Sequence, residues 1–117
     1  MDRQKITDAL GIPPGTSLYL TKLDFLVWGN NLYFAAIAGE DMAFSLQFRD
    51  CREWRWQTYT HIESAGEPFP RTELVNFRLG RSQHRSPAHL LTEHFGLSLF
   101  YGDVLLVRDG EEFRFNQ

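Results

Sequence analysis

From Leu18 onward, apolar and polar residues alternate along most of the chain with a repeat of two. This repeat is typical of β-strands that bury one face, because successive side chains of a strand point to opposite sides. Turn-forming stretches interrupt the alternation at Gly29-Asn30, at 39–41 and at 50–52. The pattern therefore predicts an antiparallel meander of four strands in the first half of the chain.

The turn lengths test whether these four strands share one core face. Turns of two, three and three residues set apolar residues opposite one another in successive strands: Phe25 with Phe34, Phe34 with Leu46, and Phe48 with Trp54. A slip of one residue would turn each apolar set to the wrong side. The agreement among the three turns favours a single core face.

Helix signals occur at two places. Residues 2–11 form at most a short helical turn that Gly11 ends. The stronger signal lies near residue 87, where Ser86 is a suitable N-cap, Pro87 suits the first helical position and Gly96 suits the C-cap. We therefore predict one main helix over 87–95.

Two further strand elements flank this helix. A strand over 73–79 would place Val75, Phe77 and Leu79 on one face. An Asp109-Gly110 turn predicts a final hairpin that pairs Leu106 with Phe113 and Val104 with Phe115.

The predicted fold is α+β, a single domain over 1–117. It comprises an antiparallel meander with about five to seven strands in all, one main helix over 87–95 and a C-terminal β-hairpin. A length of 117 residues suits one core, and the 15% share of aromatic residues supplies large side chains to fill it.

Composition narrows the function classes. The net charge of −3 argues against nucleic acid as a partner, and no apolar run is long enough to cross a membrane. The start of the chain lacks a secretory pattern, so we expect a cytoplasmic, soluble protein. A lone cysteine, Cys51, and histidines spaced by five residues provide no metal-ligand motif, and we expect no cofactor.

One predicted sheet face is mixed in character and predicts an interface. On the side opposite the core, the first two strands carry large apolar residues beside polar ones: Leu26, Trp28, Tyr33 and Ile37. Large exposed apolar patches are rare on soluble monomers. Either the predicted helix covers this face, or a protein partner or a second copy of the chain does.

An alternative site lies in the loop before the predicted helix. This loop is rich in arginine, histidine and serine: Arg78, Arg81, Ser82, His84, Arg85 and Ser86. Guanidinium groups and the amino end of a helix both favour anions, so the loop is a candidate for binding phosphate or carboxylate. The competing interpretation is a solvated loop whose arginines pair with nearby carboxylates.

A possible cleft lies beside that loop. Four residues share one face of the fourth predicted strand: Arg55, Gln57, Tyr59 and His61. If the strand over 73–79 or the loop packs over that face, Arg78 and the loop residues converge with them. Such a convergence would support acid–base chemistry, because histidine titrates near neutrality.

The sequence favours a non-enzymatic binding or assembly protein that uses the mixed sheet face for a protein partner or for self-association. A small-molecule, phosphate- or carboxylate-binding domain centred on 78–86, with catalysis as an option, is the alternative. A nucleic-acid-binding regulator ranks third. No motif in the chain establishes an enzyme.

Overall fold

The computed structural model describes residues 2–59, 71–80 and 87–115. Within these ranges the chain forms one α-helix and nine β-strands. In chain order they are α1 (Arg3–Leu10), β1 (Leu18–Leu26), β2 (Asn31–Ala38), β3 (Met42–Arg49), β4 (Glu53–Thr58), β5 (Thr72–Arg78), β6 (Ala88–Thr92), β7 (Phe95–Phe100), β8 (Asp103–Arg108) and β9 (Glu111–Arg114). A short 3₁₀ turn, Val27–Gly29, joins β1 to β2.

The nine strands form one antiparallel sheet in the order β4-β7-β6-β5-β1-β2-β3-β8-β9. Its two halves are joined where β1 meets β5, and there the described residues form two pairs, Tyr19 with Glu73 and Leu20 with Thr72. The halves also pack across a common core, in which Phe48 of β3 meets Phe77 of β5 with ring centroids 6.4 Å apart. Side-chain packing therefore holds the halves together where backbone pairing is short.

Helix α1 packs into the same core through Ile6 and Leu10, which are 0% and 3% exposed. It ends at Gly11, whose left-handed φ of 71° is readily available to glycine. Its start is fixed to the end of β5, because the Leu79 amide donates a 2.7 Å hydrogen bond to the Asp2 carboxylate. The helix therefore contributes to the core from the amino-terminal end of the chain.

Two predicted hairpins are confirmed. The β2–β3 hairpin pairs Phe34 with Leu46, as the three-residue turn requires. The β8–β9 hairpin pairs Leu106 with Phe113. The coarse description of an antiparallel sheet with a helix also holds, although sheet dominates and the nine strands exceed the predicted five to seven.

The predicted helix over 87–95 is wrong, since this segment forms β6, a tight turn and the start of β7. Burial alternates strictly along Ala88–Thr92, and both neighbouring strands pair with it. At the turn, the Thr92 hydroxyl accepts hydrogen bonds from the amides of His94 and Phe95. A nine-residue helix is marginal alone, so pairing on both edges overrides the capping signals.

The predicted neighbour of the fourth strand is also wrong. Strand β3 pairs instead with β8, which sets Leu46 opposite Leu106. The chain turns away after β3, because the Cys51 amide donates to Asn30 O and the Arg52 amide to Phe100 O. Strand β4 therefore lies at the far edge of the sheet and pairs with β7.

Two predicted alignments are displaced, one by a longer turn and one by a bulge. In the first hairpin Phe25 pairs with Leu32 and not with Phe34, because the four residues 27–30 join the strands where a two-residue turn was predicted. In β5 a register shift between Leu74 and Asn76 leaves Val75 54% exposed, whereas the sequence placed Val75 inward. Turn length alone does not reveal such bulges, because an extra residue is absorbed inside the strand.

The bulge in β5 predicts a sharp contrast between two close neighbours. Phe77→Ala should lower the free energy of unfolding by about 3–5 kcal/mol, because Phe77 is fully buried. Val75→Thr, which keeps β-branching, should change it by less than about 0.5 kcal/mol. Urea unfolding monitored by circular dichroism measures both values. A large loss in Val75→Thr would contradict the observed register.

Candidate functional site

The outer face of β4, β7, β6 and β5 carries a row of polar side chains, one from each strand. Register places Arg55 opposite Ser98, Ser98 opposite His89, and His89 opposite Arg78. Three interstrand spacings separate the two arginine Cα atoms by about 14 Å. This polar row therefore places a guanidinium at each end of a serine–histidine pair.

A second row lies one step along the same strands. Gln57 is opposite Gly96, Gly96 is opposite Leu91, and Leu91 is opposite Asn76. Two amide side chains thus flank an apolar centre, in which Leu91 is 38% exposed. The second row is therefore polar at both ends and apolar at its centre, and it lies beside the first row, which carries the two arginines.

Both rows line one groove of about 700 Å³, which Trp56, Tyr59, Leu90 and Leu97 also line. This volume lies within the range of small-molecule sites. Among the described lining residues there are two arginines and no aspartate or glutamate. The electrostatic character of this groove therefore favours an anion.

The centre of the polar row is ordered by a hydrogen bond between His89 Nδ1 and Ser98 Oγ, 2.8 Å apart. The donor depends on the imidazole tautomer. Within the described part of the chain, neither Arg55 nor Arg78 forms an ion pair or a side-chain hydrogen bond. Their guanidinium donors are therefore available to a ligand.

Tyr59 lies across β7 at the end of the groove. Its amide donates a 2.8 Å hydrogen bond to His94 O, which continues the β4–β7 pairing beyond Thr58. A Cβ atom at Gly96 would collide with the Tyr59 hydroxyl. Because Gly96 has no side chain, there is space for the Tyr59 ring to lie over β7.

A buried acceptor lies at the opposite end of the second row. The Oδ1 atom of Asn76 is inaccessible to solvent and has no hydrogen-bond partner among the described residues. Buried polar atoms are nearly always partnered in folded proteins. Asn76 lines the groove, but this atom has no surface accessible from it.

The structure brings together part of the sequence-predicted cleft. Arg55, Gln57 and Tyr59 are exposed on one face and line the same groove as Arg78. The other predicted anion or cleft residues lie outside the described residues: His61, Arg81, Ser82, His84, Arg85 and Ser86. No helix begins after this loop, so the expected contribution of a helix amino end to anion binding is wrong.

His89, Ser98 and Asn76 were not identified as site residues from the sequence. The capping residues around His89 predict a helix, whereas His89 lies in β6 and Ser98 in β7. The sequence carries little signal here, because apolar and polar residues in Ala88–Thr92 alternate only as far as Leu90. The two rows form only when four strands pair, and some of these strands are far apart in the sequence.

A second surface lies at the β1–β2 turn. We call it the aromatic turn; it comprises five exposed apolar residues: Phe25, Leu26, Val27, Trp28 and Trp54. Trp28 is fully exposed, and the rings of Phe25 and Trp54 are 5.1 Å apart. Of the predicted interface, Leu26 and Trp28 belong to this cluster, whereas Tyr33 and Ile37 are half-buried on β2.

The backbone of the aromatic turn is unusual. Val27 and Trp28 have φ angles of 52° and 59°, a region that residues with a Cβ atom adopt at a cost of about 1–2 kcal/mol each. A β-branched valine in this region is a strong outlier. Two bulky apolar side chains are thus displayed to solvent by a strained turn, where glycine or asparagine is usual.

Cys51, considered as a reactive thiol, lies in an unsuitable environment. It is 4% exposed, and its Sγ is 3.4 Å from Phe48 O. Burial raises the pKa of the Cys51 thiol to about 11, with a smaller contribution from Asp50. The neutral thiol prevails near neutral pH, so Cys51 is a packing residue.

Within residues 2–59, 71–80 and 87–115, no group of three or more histidine, cysteine or carboxylate side chains is placed to hold a metal ion. No helix in these ranges is long and apolar enough to span a membrane. No protein-family model fits the chain, and no curated protein is significantly similar to it.

The contact between Tyr59 and Gly96 predicts a coupled pair. Gly96→Ala should displace the Tyr59 ring, at a cost of about 1 kcal/mol or less because this ring is half exposed. Any such cost should vanish in a Tyr59→Ala background, where the added methyl group meets no hydroxyl. Urea unfolding of the four proteins in this double-mutant cycle measures the coupling. Equal effects of Gly96→Ala in both backgrounds would contradict the contact.

Proposed function

We propose that this protein binds a small anionic ligand, with a phosphate or carboxylate group, in the groove on the outer face of β4, β7, β6 and β5. The observation that carries the proposal is the polar row itself. It places Arg55 and Arg78 on either side of the Ser98–His89 pair, with no carboxylate among the described lining residues.

The arginine geometry suits one bracketed anion. Each side chain extends roughly half of the ~14 Å between the two Cα atoms, so both guanidiniums reach the space above the centre of the row. There the Ser98 hydroxyl and the His89 ring add further hydrogen-bonding groups. Planar guanidinium forks bind carboxylate and phosphate through paired hydrogen bonds, which are stronger than neutral ones.

Mutation of the arginines tests the proposal. Pyrophosphate and citrate are suitable probes. Isothermal titration calorimetry and the NMR chemical shifts of the β4–β7 amides measure their binding. Arg55→Ala and Arg78→Ala should each weaken binding about tenfold or more, since a hydrogen bond to a charged group contributes roughly 1.5–3 kcal/mol. Rising salt should weaken binding by the native protein as well.

Arg49→Ala is the matched control, because Arg49 is an exposed arginine of β3 and does not line the groove. Its affinity for the probes should equal that of the native chain. If Arg49→Ala weakens binding as much as Arg55→Ala does, attraction is non-specific. That result, or no binding of either probe, would refute the proposed site.

We also propose self-association through the aromatic turn and the open edge of β4. Every residue of Glu53–Thr58 is exposed, and β4 is a terminal strand of the sheet that the described residues form. Trp54 belongs both to the aromatic turn and to β4, so the aromatic turn is continuous with the edge of this strand. Exposed edges pair with other strands, and exposed apolar clusters of several hundred Å² mark interfaces.

A second copy of the chain fits the β4 edge. If two β4 strands pair antiparallel about a two-fold axis at Trp56, Arg55 lies opposite Gln57 and Trp54 opposite Thr58. No like charges face each other in this register. The aromatic turn adds buried area beside the strands, where a standard interface needs about 800 Å² per partner.

Sedimentation equilibrium tests this association. The native chain should form a concentration-dependent dimer, and Trp28→Ser and Trp54→Lys should shift it to monomer. Val75→Lys is the control for Trp54→Lys, because Val75 and Trp54 are exposed to a similar extent but Val75 lies outside the aromatic turn. A strictly monomeric native chain, or a dimer that both tryptophan variants retain, would overturn the proposal.

A further inference from the structure

The groove contains apolar surface that an isolated phosphate or carboxylate would leave uncovered. Leu91, at the centre of the second row, lines the groove and is 38% exposed. The Tyr59 ring lies beside it over Gly96 and is 52% exposed. We call Leu91 and Tyr59 the apolar patch. A ligand that covers this patch removes apolar surface from water, which favours binding of an apolar group.

The part of the ligand that reaches the second row needs no charge. The ends of this row are Gln57 and Asn76, which both carry neutral amides. The two residues between them, Gly96 and Leu91, are apolar. Among the described residues of the second row there is thus no partner for a second charged group, and a neutral body fits best.

The distance between the acidic group and this body follows from two neighbouring strands. On β6, His89 and Leu91 are two residues apart, and on β7, so are Ser98 and Gly96. Two residues of a strand span about 7 Å, so the centres of the two rows are separated by roughly that distance. A chain of about three linking atoms covers it between an acidic group and the centre of a ring.

Resting on the proposed anion site, we infer that the ligand is a phosphate or carboxylate that carries an uncharged apolar body, the size of one ring, on a short linker. Its acidic group binds between Arg55 and Arg78 at the polar row. Its ring covers Leu91 and packs beside the Tyr59 ring, where aromatic pairs gain contact beyond the burial of area.

A matched pair of probes isolates the apolar body. Ethyl phosphate and 2-phenylethyl phosphate share the acidic group and the linker, and they differ only in the phenyl group. The native protein should bind 2-phenylethyl phosphate about tenfold more tightly, because its ring and the apolar patch both lose contact with water. Isothermal titration calorimetry measures this ratio, and the amides of Leu91 and Gly96 should shift in NMR spectra with the phenyl probe only.

Substitutions in the apolar patch supply the second arm. In the double variant Leu91→Thr/Tyr59→Ser the ratio between the two probes should fall to about one, because the apolar surface under the ring is gone. Ethyl phosphate should bind this variant as it binds the native chain, since it does not reach the patch. Circular dichroism establishes that the variant is folded, and the single variant Leu91→Thr, which should lower the ratio at least threefold, repeats the test with a smaller change.

Val75→Thr is the matched control, because Val75 is an exposed apolar residue of β5 that does not line the groove. It should leave the ratio between the two probes at its native value. If Val75→Thr lowers the ratio as much as Leu91→Thr does, the phenyl group binds without specificity and the inference is overturned.

The outcomes separate this inference from the proposed function. If pyrophosphate and ethyl phosphate bind but the phenyl group adds no affinity, or if its gain survives in both patch variants, the inference fails and the anion site stands. If no phosphate probe binds the native chain, the anion site fails and the inference fails with it. A gain that depends on the apolar patch supports both.

Discussion

The packing of Phe48 is the contact on which the two halves of the sheet depend. Its ring meets those of Phe34, Phe77 and Tyr101 in edge-on arrangements, with centroids 5.4 to 6.4 Å apart. In the described part of the chain, the strand pairing between the halves consists of two residue pairs. Burial of these aromatic rings therefore supplies the cohesion that hydrogen bonding provides in a continuous sheet. It also positions the groove, because the inward Phe77 fixes its two outward neighbours on β5.

Local pattern was sufficient for the parts of the fold that local contacts determine. The β2–β3 and β8–β9 hairpins follow from alternation and turn length, since both partners lie within a few residues of the turn. The segment 87–95 was misread because Ser86, Pro87 and Gly96 resemble helix caps. Its strand character depends on β5 and β7 on either side, and those contacts are not encoded locally.

The residues of the candidate site also fall into two groups, those that local alternation predicts and those that depend on long-range strand pairing. Alternation placed Arg55, Gln57 and Tyr59 on one face, and Arg78 was singled out by its neighbours in sequence. The contribution of His89 and Ser98 could not be predicted, because it requires β6 and β7 to lie between β5 and β4. Asn76 could not be predicted as a lining residue for another reason. A bulge beside it changes which residues of β5 face outward.

The location of β4 at the sheet edge has a consequence for the lifetime of the groove. This strand supplies Arg55 and Gln57, yet among the described strands it pairs only with β7, and all six of its residues are exposed. Edge elements with few buried contacts open locally at a lower free-energy cost than the core. The groove can therefore lose one wall while Phe48 and its neighbours stay packed. A bound ligand would favour the state in which β4 stays paired with β7. The fraction of the protein that has ligand bound would therefore set the hydrogen-exchange rate of the β4 amides.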